Sequence, residues 1–249
     1  MPHNFRSKLK QGQLLLSPLV TLSCPETAEV LSDVGYDWLF LDAEHSTYSP
    51  ADLLAIVGRV GHKLPCLVRL AAPDEVQIKK ALDLGAAGII APLVNSAKTA
   101  EQVVSWSRYS PEGTRGVGLG RAHGFGFSFD DYLAKANEEI TVVVQAEHID
   151  AVNDIEQIVK VPGVDAVLIG PYDLSASLKR IGEIDHPDVT GAIQHVSEVC
   201  QKHNMPLGIF GVTVDAVKPY IDKGFTLITA GVDTVMLGQA ARRMLGQMR

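Results

Sequence analysis

Four short apolar runs end in groups able to do acid–base or metal chemistry. The run 38–41 leads into Asp42-Ala-Glu-His45 and the run 66–68 into Arg69. The run 142–144 leads into Gln145-Ala-Glu147, and the run 167–169 into Gly170-Pro-Tyr172-Asp173. Glu147 and Asp173, arriving from adjacent strands, would leave positions around a hard octahedral cation open to water and substrate oxygens. That chemistry fits Mg²⁺ or Mn²⁺, with Co²⁺ a third option. Gln145 has the strand parity of Glu147 and so shares its face, whereas His148 points elsewhere. His45 is the candidate proton carrier, with Asp42 or Glu44 to orient its ring. Arg69 has the fork geometry to grip a carboxylate in two bonds or to offset charge growing on an enolate oxygen. Each group also has a plainer reading. Glu147 and Asp173 could be rim ion-pair partners, Asp42 and His45 a satisfied pair, and Arg69 a salt bridge to Asp42 or Glu44.

These groups meet only if their strands share one rim. Apolar, β-rich runs at 14–20, 38–42, 66–70, 88–92, 141–146, 166–170, 207–210 and 226–229 alternate with amphipathic stretches. The latter fall near 25–34, 51–61, 74–84, 97–107, 150–160, 187–203, 213–223 and 233–247. Eight strands each followed by a helix predict an α/β fold, a (β/α)₈ barrel forming one domain over 1–249, in which functional groups collect at the carboxyl ends of the strands. Ser49-Pro50 reads as a helix start, and Gly85 and Gly224 as helix ends. The segment 111–130, with five glycines between 116 and 126, breaks the alternation and reads as a long functional loop.

Composition removes other classes. With 22 Lys+Arg against 29 Asp+Glu the net charge is −7, and no basic run is present to displace counterions from a nucleic-acid backbone. The apolar stretch 86–94 is broken by Pro92 and is far shorter than the ~20 residues a membrane helix needs. Arg6, Lys8 and Lys10 ahead of 14–16 imitate a secretory start, but Ser17 and Pro18 interrupt it, so a cytoplasmic protein is expected. Three widely spaced cysteines suggest neither a disulfide framework nor a zinc cluster. Phosphate-loop, zinc-protease and nucleophile-elbow motifs are absent. No assigned strand carries a lysine, so a Schiff-base lysine is not evident and carbanion stabilisation would fall to a metal.

Taken together, Asp42-Ala-Glu-His45, Arg69, Arg115-Gly-Val-Gly118, Gln145-Ala-Glu147 and Gly170-Pro-Tyr-Asp-Leu-Ser175 resemble the HpcH/HpaI family of class II pyruvate aldolases. The likeness runs in order from the Phe40 strand to Gly231-Val-Asp-Thr. It implies metal-dependent, reversible cleavage of 4-hydroxy-2-oxo acids to pyruvate, or an analogue such as hydroxypyruvate, and an aldehyde. It further implies His45 as general base, Arg69 as transition-state stabiliser, and Glu147 and Asp173 as metal ligands. Gln145 and the backbone at Tyr172 would contact the keto acid. The family commonly has a small residue where Tyr172 stands and often Gly where Ala43 stands.

The same resemblance implies that Asp83 raises the basicity of the histidine. Asp83 lies near the end of a helix that returns to the opposite rim, so it can serve only a neighbouring subunit's site. The family is typically a homo-hexamer, a dimer of trimers with the terminal helix exchanged, which suits the amphipathic 233–247 segment. Replacing His45 or Arg69 by alanine is expected to cripple cleavage while the fold survives. Two rivals stay open: a related metal-enolate lyase acting on a CoA thioester or dicarboxylate, and a keto-acid-binding barrel without catalysis.

Overall fold

A computed structural model describes residues 4–249. Eight parallel strands, β1 (Leu15–Val20), β2 (Leu39–Asp42), β3 (Cys66–Arg69), β4 (Gly88–Ala91), β5 (Thr141–Ala146), β6 (Ala166–Ile169), β7 (Leu207–Gly211) and β8 (Leu227–Val232), close into a barrel in chain order. Every expected strand is present. The helices are α1 (Phe5–Lys10), α2 (Pro25–Asp33), α3 (Pro50–Val60), α4 (Glu75–Asp83), α5 (Ala97–Ser107), α6 (Phe129–Glu139), α7 (Ile149–Ile158), α8 (Pro171–Ser177), α9 (Pro187–Lys202), α10 (Val214–Ile221) and α11 (Asp233–Met248). Of these α1, α6 and α8 lie outside the sequence expectation.

Strand alternation sorts the core. Leu39, Leu41, Val68, Val142, Val144, Val167 and Ile169 pack outward against the helices. Phe40, Leu67, Val143 and Leu168 fill the barrel interior. Continuing that period of two toward the carboxyl ends puts Asp42, Arg69 and Gln145 on the interior side, with Glu147 one step further.

The opposite end is closed. α1 lays Phe5 and Leu9 against Trp38, with Phe5 and Trp38 rings 5.8 Å apart and Trp38 stacked on Phe40 at 5.7 Å. Arg6 Nε donates to buried Asp165 Oδ1 (2.7 Å), whose Oδ2 accepts the Val142 N–H (2.9 Å). This ties the plug to the strand bases.

Local chemistry sets the helix ends. Ser49 and Asp52 form a reciprocal capping box before α3, with Pro50 in its first turn. Gly85 and Gly224 take positive φ (97° and 90°) just past α4 and α10. The segment 111–130 is not wholly a loop: a 3₁₀ stretch, Arg121–Gly126, packs near α4, and α6 begins at Phe129.

Candidate active site

Asp42 and Arg69 are register partners on adjacent strands, so their interior-facing side chains meet. Arg69 Nε donates to Asp42 Oδ1 (2.9 Å) and Nη2 to Oδ2 (2.7 Å), a bidentate pair in which both residues are buried. The plainer reading of Arg69 is therefore realised, and it coexists with a place in the pocket wall. Burial alone would weaken the guanidinium's hold on its proton, but Asp42, Glu44 and Glu147 raise it instead.

Asp42 Oδ1 also accepts the backbone N–H groups of Glu44 (3.1 Å) and His45 (3.3 Å), which pins the turn after β2. The His45 ring itself approaches Glu44, with Nε2 3.7 Å from Oε2. Of the two acids expected to orient the ring, Glu44 is the one beside it, and Asp42 acts on the backbone. Glu44 Oε2 also lies 3.3 Å from Arg69 Nε, and burial pushes the Glu44 carboxyl above its ordinary pKa.

Glu147 is 3% exposed. Its Oε1 accepts the N–H of Leu93 (2.7 Å), and its Oε2 accepts a short bond from Gln145 Nε2. Gly170 makes room for it: a Cβ there would lie 3.0 Å from both Glu147 Cβ and Oε2, so any other residue at 170 would push this carboxylate. Burial, reinforced by the Glu44 and Asp173 charges, raises its pKa to about 7. Asp173 sits in the first turn of α8. Among the described residues no three His, Cys, Asp or Glu side chains converge as a complete metal cage. A hard cation needs only one or two carboxylates beside water and substrate oxygens. Asp42, Glu44 and Glu147 act on Arg69 and Asp173 lines the same pocket as that arginine, while the buried Gln145 Oε1 has no hydrogen-bond partner among the described residues. Oxygen donors with surplus negative charge fit a divalent cation.

His45, Arg69, Gln145, Tyr172 and Asp173 line one pocket of about 490 Å³, counting its open mouth. Asp83 is not among them. At the end of α4 it accepts from Arg115 Nη2 (2.7 Å). Arg115 is in turn stacked over Tyr109 (4.5 Å) and donates to the Tyr132 hydroxyl (3.2 Å). Behind them His123 is fully buried, its Nε2 3.0 Å from the Tyr109 hydroxyl and its Nδ1 accepting the Gly120 N–H (3.3 Å). Sequence reasoning missed the Leu93 amide and named Gly170 within its motif without giving it a role. Leu93, held at φ 51°, contributes only a backbone N–H and leaves no signal in a residue type. Gly170 could have been suspected from its place between β6 and Pro171.

A pocket lined by His45, Arg69, Gln145 and Asp173, with Asp42, Glu44 and Glu147 beside it at the carboxyl-end rim, defines a barrel enzyme for small polar molecules. Residues 19–240 match the model of the HpcH/HpaI aldolase/citrate lyase family. A 5-keto-4-deoxy-D-glucarate aldolase of Escherichia coli is 36% identical over 98% of this chain and 95% of its own length. Its Klebsiella pneumoniae counterpart is 34% identical over the same shares. The crystal structure of an HpcH/HpaI aldolase/citrate lyase family protein from Burkholderia cenocepacia superposes with a TM-score of 0.95 at 33% identity, covering 99% of both chains. The chain belongs to the HpcH/HpaI aldolase/citrate lyase family, and its activity is that of an aldehyde-lyase.

Proposed function

We propose that the protein reversibly cleaves 4-hydroxy-2-oxo acids to pyruvate, or hydroxypyruvate, and an aldehyde, with a divalent cation held by Glu147 and Asp173. The observation that carries this reading is the geometry around the buried Glu147 carboxylate, fixed by the Leu93 N–H and Gln145 Nε2 beside a Gln145 Oε1 that has no hydrogen-bond partner among the described residues. Mg²⁺ or Mn²⁺ suits the all-oxygen donor set, with Co²⁺ a third option. When bound, such a cation supplies Lewis-acid stabilisation of an enolate.

The chain's own residues do the rest. His45, exposed at the rim, takes the proton of the C4 hydroxyl as the C3–C4 bond breaks; the enolate is then protonated at C3 from solvent to give pyruvate, and in the reverse direction C3 loses that proton and His45 returns its own to the new hydroxyl oxygen. Arg69, held in place by Asp42, offsets charge growing on the former keto oxygen. Gln145 and the backbone at Tyr172 orient the keto acid. Asp83, fixed by Arg115 far from its own pocket, serves the His45 of a neighbouring subunit. α11 buries only Asp233 and exposes Leu237, Met244, Leu245 and Met248, an apolar face suited to exchange within a homo-hexamer built as a dimer of trimers. The unpaired cysteines fit a reducing compartment such as the cytoplasm.

The test is exchange of the pyruvate C3 protons with solvent. Exchange should vanish on chelation, return with Mn²⁺ or Mg²⁺, and resist borohydride. Exchange that survives chelation but is destroyed by borohydride would mean a Schiff base and end this reading.

A further inference from the structure

Resting on the aldolase reading above, we infer that the Tyr172 side chain selects the aldehyde half of the substrate, favouring aldehydes with a hydroxyl on the carbon next to the carbonyl. The pocket's polar groups are those of Arg69, Gln145 and Asp173, and Leu19, Phe40 and Phe210 add apolar lining. The carboxylate and 2-oxo oxygens are the most polar part of a 4-hydroxy-2-oxo acid and belong with the former. The barrel below is filled by its own core, so C5 and the atoms beyond it must run outward toward the mouth.

Tyr172 stands on that path. It lines the pocket yet is 49% exposed, which puts an aromatic ring at the boundary with solvent. Its position is set by the backbone. Buried Ser175 donates from Oγ to the Tyr172 carbonyl (2.6 Å) and accepts the Gly182 N–H (3.0 Å), while Pro171 beside it is buried. The phenol oxygen makes no hydrogen bond to another described residue. A ring held at its base, with a hydroxyl free both to donate and to accept, suits a substrate hydroxyl passing the mouth.

The experiment compares kcat/KM for addition of pyruvate to glycolaldehyde and to acetaldehyde, using the full-length protein with Mn²⁺. These two aldehydes differ by that hydroxyl alone. The ratio of the two values does not depend on how much of a variant folds. Tyr172→Phe should lower the glycolaldehyde-to-acetaldehyde ratio roughly 5-fold, as loss of one neutral hydrogen bond does, and Tyr172→Ala at least as far. A ratio unchanged in Tyr172→Phe overturns the role given to the hydroxyl while leaving the aldolase reading intact. Absence of metal-dependent pyruvate exchange in the wild-type protein overturns both.

Discussion

Arg69 and His45 share a pocket but differ in what else depends on them. Arg69 neutralises Asp42, which is 1% exposed, so Arg69→Ala strands a buried charge. The structure thereby changes the expectation that both alanine variants keep the fold intact. Arg69→Ala should lose about 3–5 kcal/mol of stability as well as roughly 10²–10³ in turnover. His45→Ala, at an exposed position, should lose turnover with little change in melting temperature. Thermal unfolding of the two variants side by side checks this, and equal melting temperatures would refute it. Asp42, Arg69, Gln145 and Glu147 were legible as a group because each follows an apolar strand with the right parity. The Leu93 amide and the exact partner of the His45 ring were not, since both depend on how loops fold back over the rim.

At the scale of elements, eight strands, seven crossover helices and the terminal helix were legible because their periodicities change where the chain turns. The missed helices were short or masked. α1 spans six residues inside a basic stretch, α8 seven directly after a strand, and α6 abuts the glycine-rich segment read as loop. That segment is anchored by His123, packed against Tyr132 (4.6 Å) and Phe129 (5.5 Å). Burial, helped by the nearby Arg115 charge, holds its pKa below 6.5, with the Asp83 charge pulling the other way. A depressed histidine pKa means the unfolded chain takes up a proton that the folded one refuses. This contribution to stability is complete above pH 6.5 and is lost as pH falls from there toward the folded-state pKa. Protection factors at residues 116–128, meaning exchange measured against the intrinsic rate at each pH, should therefore fall on acidification from about pH 7 to 5, and His123→Phe should abolish that dependence.

At the scale of the molecule, the barrel is sealed at one end and open at the other. Leu9 is fully buried in the seal, so Leu9→Ala should cost about 2–5 kcal/mol while leaving the aldehyde ratio untouched, as chemical denaturation and turnover together would reveal. The proposed reach of Asp83 into a neighbour makes a different demand. Mixed oligomers assembled from inactive His45→Ala and inactive Asp83→Asn chains should regain part of the activity, since some sites then carry both groups. No recovery after mixing and reassembly would confine each site to one chain.

The plug formed by α1 also dictates traffic. With the barrel below the pocket filled by its core, the fragment lodged deeper cannot depart before the one nearer the mouth. The aldehyde must therefore leave first and pyruvate second. Steady-state inhibition should register that queue: pyruvate competing with the cleavable acid for free enzyme, the aldehyde giving a mixed pattern.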